Sequence, residues 1–239
     1  MRTVIFCEGT TDLVLIQCVL QYRYGWKYKG FLENAETNKL LKRTLVKDES
    51  TIEIRRCVGI MNIPYELKEL QDQIAFSKTE ELIDKVIVVI DHDTVSSNRE
   101  FIDKVNSSLE TYFSEDVVNT EITWKINNAF IGEINLSFLI HCIPEYEIGA
   151  IENVMLEALA TDDIEKMIIE RSNCFISDVS HQQNRYLQKK SLIIKAIFNT
   201  YFAIRTPEET PTERSRILRA YDWKHNEVLN KCFAFLNIG

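Results

Sequence analysis

Two uninterrupted apolar runs, each closed by carboxylates, leave this chain few folds to choose from. The first is Val4-Ile5-Phe6-Cys7, followed by Glu8-Gly9-Thr10-Thr11-Asp12; the second is Val86-Ile87-Val88-Val89-Ile90, followed by Asp91-His92-Asp93. A short apolar run without polar alternation is the pattern of a strand covered on both faces, as in a parallel sheet. Such a strand delivers its terminal carboxylate to the mouth of the sheet. Neighbouring strands lie about 4.8 Å apart, and carboxylates that close repel by about 4 kcal/mol per pair at ~4 Å and an effective dielectric near 20. A divalent cation among them removes that penalty, so if the two strands are neighbours the pattern predicts a magnesium site.

The spacing of apolar residues predicts a helix over 13–24, directly after the first run. Residues 26–31 read as irregular or briefly extended, and 38–46 as a helix with Lys39, Lys42, Arg43 and Lys47 on its exposed side. A strand is expected over 51–58, a helix over 64–76 with Pro64 in its first turn, and a further helical stretch over 79–84 before the strand at 85–90. Residues 98–113 read as a helix and 120–126 and 134–143 as strands, the latter stopped by Pro144; Gly149 then opens a helix through Leu159. Strands alternating with helices argue for an α/β fold with a largely parallel sheet flanked by helices. Beyond residue 160 only helical spacing continues, over 162–172, 183–204, 212–220 and 224–236. Residues 1–160 are therefore expected to form the α/β domain, and residues 161–239 a helical C-terminal extension packed on it.

The chain has 239 residues, 45% of them hydrophobic, enough for a full core. With 36 acidic against 28 basic residues, its net charge of -8 argues against a sequence-independent coat for DNA. It leaves room for an enzyme that meets a phosphodiester through bound metal. The six cysteines form no C-x-x-C pair and no zinc-like spacing, so they read as buried, reduced thiols of a cytoplasmic protein. No secretory leader is recognisable and no segment approaches 18 uninterrupted apolar residues, so neither export nor a membrane span is expected.

Glu8 ends the first run, Gly9 permits a sharp turn, and Asp12 falls four residues later, one helical turn on, where it can point back to the same metal. The competing reading makes Thr10 or Thr11 the helix cap and Asp12 a partner of the helix dipole. Asp91 and Asp93 face one side if the chain stays extended, with His92 turned away as an exposed loop histidine or a donor to the carboxylates. The competing reading is an ordinary acidic turn. Glu152 sits in a helix's first turn near the carboxyl end of a strand, where open α/β sheets bind ligands, or else simply complements that helix's dipole. Glu145 and Glu147 are lower-ranked substitutes. Neither a P-loop nor a dinucleotide fingerprint is present among only seven glycines. No G-x-S-x-G elbow occurs, and His141-Cys142 lies inside an apolar strand, where burial outweighs nucleophilic catalysis. Arg185, Tyr186, Lys189, Lys190 and Lys195, and Arg214, Arg216, Arg219, Tyr221 and Trp223, are basic-aromatic clusters able to touch a phosphate backbone or to form solvated helix faces.

Taken together, a strand ending in E-G-x-x-D (Glu8, Gly9, Asp12) and a later one ending in D-x-D (Asp91, Asp93) resemble the Toprim domain of topoisomerases, primases and small nucleases. Pro144 with Gly149-Ala150-Ile151-Glu152 is similar to the "P…G-x-x-E" element of OLD-type nucleases and of small stand-alone Toprim-like proteins of unknown function. Residues 221–225 with Phe235-Leu236 are similar to the tail of the stand-alone proteins. The motif order covers residues 1–160, with Cys7 where many relatives carry valine. The resemblance implies a Toprim-like, Rossmann-like sheet and phosphodiester cleavage of DNA or RNA dependent on Mg2+ or Mn2+. Glu8, Asp12, Asp91, Asp93 and Glu152 would be the metal ligands, with Glu8, Asp91 and Asp93 at the catalytic centre.

The chain has no room for a topoisomerase's tyrosine domain, a primase's zinc module or an OLD protein's ATPase domain. What remains is a single-Toprim nuclease, helped by a partner such as a separately encoded ATPase. Two rivals stand beside it. One is a non-catalytic Toprim-like module that binds metal or a partner, which the acidic charge favours. The other is a haloacid-dehalogenase-like phosphatase with Asp91 as nucleophile, since Asp91-His92-Asp93-Thr94-Val95 fits D-x-D-x-[TV]; the later lysine and G-D-x-x-x-D element of that family are not found.

Overall fold

Strands β1 (Arg2–Cys7), β2 (Lys27–Tyr28), β3 (Lys42–Lys47), β4 (Ser50–Arg56), β5 (Lys85–Asp91), β6 (Ile122–Asn128) and β7 (Gly132–Ile143) build one sheet. Their order is β2-β3-β4-β1-β5-β7-β6. The computed structural model describes residues 1–29, 42–92, 97–109, 111–114, 117–145, 147–182, 185–208 and 222–238. β1 runs parallel to both β4 and β5. β7 runs parallel to β5, since Ser137 N–H donates to Asp84 O and His92 N–H to Ile143 O, each at 2.9 Å.

The sheet is parallel at its centre, as expected, but antiparallel toward both edges, so it is mixed rather than largely parallel throughout. Pairs β2–β3, β3–β4 and β6–β7 are antiparallel. For β3–β4 and β6–β7 the reason is connection length, because two or three residues join only antiparallel neighbours. Asp48 and Glu49 alone link β3 to β4, with Asp48 at φ 51. Residues 129–131 link β6 to β7, and Asn128 Oδ1 accepts from the amides of Phe130 (2.8 Å) and Ile131 (3.1 Å).

The β3 hairpin also overturns the helix expected over 38–46. Residues 42–46 pair along β4, while 38–41 lie outside the described residues. The stretch over 79–84 keeps only one 3-10 turn, Thr79–Glu81, because Asp84 is claimed by β1. Asp84 N–H donates to Arg2 O (2.9 Å), and its carboxylate accepts Arg2 N–H (2.6 Å). Among the helices, α2 (Ile63–Ala75), α3 (Ser97–Ser108) and α4 (Ile151–Leu159) fall at their expected positions, while α1 (Thr10–Cys18) starts three residues early and the rest of the helix expected to residue 24 is π-helical, over Val19–Arg23. α3 stops five residues before Phe113 because the Asn106 amide brackets the chain there, accepting Phe113 N–H (2.7 Å) and donating to Phe113 O (2.8 Å).

Two compact units make up the chain. One comprises Met1–Ile90, Ser96–Cys142 and Phe235–Gly239; the other comprises Asp91–Val95 and Ile143–Ala234. In the first unit, Val4 and Phe6 of β1 and Val86, Val88 and Ile90 of β5 share a core with Leu67 and Leu70 of α2 and Phe101 and Val105 of α3. Burying each such side chain contributes about 1.5–3 kcal/mol. Phe113 extends this core, stacked on Phe138 at 4.8 Å. α1 packs against β3 and β4.

The second unit is helical. α4 packs with α5 (Asp163–Gln182), α6 (Lys190–Arg205) and α7 (Glu227–Cys232). α5 runs ten residues past the expected end at 172, where a Ser-Asn-Cys stretch resembles a stop; Ser172 is instead buried inside the helix. Residues 185–189 are not helical, 212–220 lie outside the described residues, and α7 gives way to a 3-10 turn, Ala234–Leu236. None of the six cysteines is in a disulfide, but Cys174 is exposed and Cys232 half-buried, so only Cys7, Cys18, Cys57 and Cys142 are the buried thiols expected. No helix among the described residues is long and apolar enough to cross a membrane.

Candidate functional site

In the first unit, the chain leaving β1 remains tied to the chain leaving β4. Cys7 O accepts Cys57 N–H (2.9 Å) and Glu8 O accepts Gly59 N–H (3.1 Å). Gly9 is extended at φ -121 and forms the N-cap of α1. The Asp12 carboxylate, buried in the first turn, accepts Gly9 N–H at 2.6 Å. The cap is therefore neither Thr10 nor Thr11; the Thr10 hydroxyl instead receives the Arg56 guanidinium. Glu8 is half-buried.

After β4 comes a loop that sequence reasoning missed. Val58 has φ 55 and Gly59 φ 113, and the Asn62 amide donates to Cys57 O (2.9 Å) and Val58 O (3.1 Å). A β-branched residue in the left-handed region stores about 1–2 kcal/mol, and such strain collects at functional sites. Gly59, one of few glycines, is the signal that was available. Burial, reinforced by Asp12 and Cys57, holds the Cys7 thiol well above its ordinary pKa. Cys57 is pushed up to about 12, first by burial and then by Glu66. Neither thiol is a nucleophile near neutral pH.

In the second unit, Asp91 is 8% exposed, and its Oδ1 accepts the amide of Ile151, the first residue of α4, at 3.1 Å. That amide has no partner within the helix, so the bond orients the carboxylate and anchors α4 together. His92 is half-buried rather than an exposed loop residue. Its carbonyl accepts Gly149 N–H (2.8 Å), and its Nδ1 lies 3.3 Å from Pro144 O. These bonds fold the Pro144–Gly149 segment back onto the residue following β5. Gly149 is required by space: a Cβ there would lie 2.8 Å from Asn153 Oδ1, which accepts Ala150 N–H at 2.9 Å.

Glu152, next to Ile151, is 4% exposed. The structure thus joins Asp91 to the helix turn that carries Glu152, and Glu8 to the turn that carries Asp12. Asp93 lies outside the described residues, and Glu145 and Glu147 are exposed. Among the described residues, no group of three or more His, Cys, Asp or Glu side chains is arranged to hold a metal ion.

A parallel-centred mixed sheet flanked by helices, with buried carboxylates at strand ends and helix starts, defines an α/β protein. Residues 2–237 match the family described as "Protein of unknown function (DUF3226)", and the chain belongs to that family. Its fold is similar to the crystal structure of hypothetical protein PH0156 from Pyrococcus horikoshii OT3, with 18% sequence identity and a TM-score of 0.55. The likeness covers 99% of this chain and 96% of that one. No curated protein matches.

Proposed function

We propose that this protein is a Toprim-like, Mg2+- or Mn2+-dependent phosphodiester-cleaving protein that acts on nucleic acid. The observation that carries the reading is the parallel register of β1 on β5, in which Cys7 lies beside Val89. Glu8 follows one residue after that pair and Asp91 two residues after it. β1 and β5 are thus parallel neighbours, as the Toprim resemblance requires of the strands that precede its two acidic motifs.

The donor chemistry fits a hard divalent ion. Glu8, Asp12, Asp91, Asp93 and Glu152 offer only carboxylate oxygens, which suit Mg2+ or Mn2+ rather than a soft metal. When bound, the ion supplies Lewis-acid stabilisation of the phosphate oxygens. The chain's own part is positional. The Ile151 amide sets the angle of the Asp91 carboxylate, the Gly9 amide sets that of Asp12, and Glu8 is the group that would exchange a proton with attacking water or leaving oxygen. Six cysteines outside any disulfide suit a reducing, cytoplasmic setting. A separately encoded ATPase is the protein partner that this reading calls for.

The test is incubation of the purified chain with single-stranded, double-stranded and structured DNA and RNA, in Mn2+, Mg2+ or EDTA. Metal-dependent cleavage that disappears in Asp91→Asn and Glu8→Gln is expected. Intact substrates throughout, with Asp91→Asn indistinguishable from wild type, would end the nuclease reading. The net charge of -8 favours a second reading, a Toprim-like module that binds metal or a partner without cleaving. Mn2+ binding lost in Asp91→Asn, with no cleavage by wild type, would select it.

A further inference from the structure

We propose that α5 is a self-association surface, on which a second copy of this chain docks antiparallel with Arg171 facing the partner subunit's Asp178. The twenty-residue helix buries only Ser172 and Ile176. Ile164, Met167, Phe175 and Val179 are 68%, 52%, 59% and 39% exposed. Together with Arg171 and Asp178 they recur at steps of three and four, so they fall on one side of the helix. Single exposed apolar residues are ordinary, but a stripe of them along a whole helix marks an interaction surface. At 1.5 Å per residue such a helix is about 30 Å long, enough for a paired seam.

The charges inside the stripe select the occupant. Arg171 and Asp178 are opposite in sign and two helical turns apart. In an antiparallel pair whose two-fold axis passes between Cys174 and Phe175, each Arg171 lies level with the partner subunit's Asp178. That arrangement satisfies both charges twice, which is the self-complementarity a two-fold interface demands. A partner of one charge sign would be repelled by one of the two. A lipid surface is disfavoured as well, because Asp163, Glu165, Glu170 and Asp178 outnumber Lys166 and Arg171 on the helix. In the same register the exposed Cys174 of each copy lies beside the axis, close to its counterpart.

The inference is independent of any catalytic role and is tested on the full chain by sedimentation and light scattering across a concentration series, with circular dichroism to verify folding. A concentration-dependent dimer is expected. Arg171→Asp and Asp178→Arg should each weaken it by about tenfold or more, and the double reversal should restore it. Phe175→Asp should leave a folded monomer, and a short bismaleimide should couple two wild-type copies but not Cys174→Ser. A monomer at every concentration would overturn the proposal. So would a dimer indifferent to Phe175→Asp, or a double reversal no tighter than the single ones.

Discussion

Asp91 Oδ1 accepts the Ile151 amide hydrogen across 3.1 Å, so one carboxylate both ends β5 and supports the first turn of α4. Its two roles separate by substitution. Asp91→Asn keeps an acceptor and should stay within about 0.5 kcal/mol of wild type, whereas Asp91→Ala should lose about 1 kcal/mol, as a lost helix-start acceptor does. Urea unfolding measures both. If Mn2+ binds here, saturation at about 100 times its Kd should raise wild-type stability by ~2.7 kcal/mol and leave either variant unmoved.

Gly149 is expected to tolerate no side chain. With a Cβ placed 2.8 Å from Asn153 Oδ1, Gly149→Ala should cost about 1–3 kcal/mol. Adding Asn153→Ala removes the obstacle together with its bond to Ala150, so the double variant should be less destabilised than the sum of the single ones. Equal additivity in unfolding measurements would contradict the clash.

Val58 should be improvable. Its φ of 55 is costly for a β-branched residue, and at 61% exposure it contributes little burial. Val58→Asn, whose short polar side chain accepts the left-handed region, should stabilise the fold by about 1 kcal/mol. A rise in thermal midpoint reads this directly; a fall would mean that Val58 makes contacts outweighing the strain.

Acid should weaken the sheet through Glu53. Burial raises its pKa, but Arg55 and Lys42 outweigh that effect and hold it below its ordinary 4.5. A depressed pKa in the fold means that the pairing contributes fully above the unfolded value and fades as pH falls through the folded one. Glu53→Gln should therefore start less stable at neutral pH yet lose less than wild type below pH ~4.5. Parallel stability profiles for the two proteins would refute this.

Much of the fold was legible where burial dictates composition. The continuous apolar runs of β1 and β5 announce themselves, and Pro64, Pro144 and Gly149 punctuate their elements correctly. The hairpin of β3 was hidden because Asp48-Glu49 turns the chain without glycine, and Leu45 alone gives the strand a buried anchor. The end of α3 was equally hidden, since it depends on an Asn106 side chain meeting a backbone seven residues away.

At the candidate site, the sequence marks carboxylates and a close approach at Gly149. It cannot mark adjacency: nothing in residues 2–7 states that β5 rather than β7 lies beside them. Nor does it show that the Asp12 side chain reaches back to the N-cap amide of its own helix, a role settled only by where the Gly9 amide points.

The sheet-bearing unit also takes in residues 235–239, where Phe235 stacks on His141 at 3.9 Å. During synthesis from the amino end, the intervening helices must therefore emerge before that ring can arrive. A nascent chain paused anywhere earlier presents His141 without its cover. The sheet's flank at His141 is thus among the last parts of this unit to close.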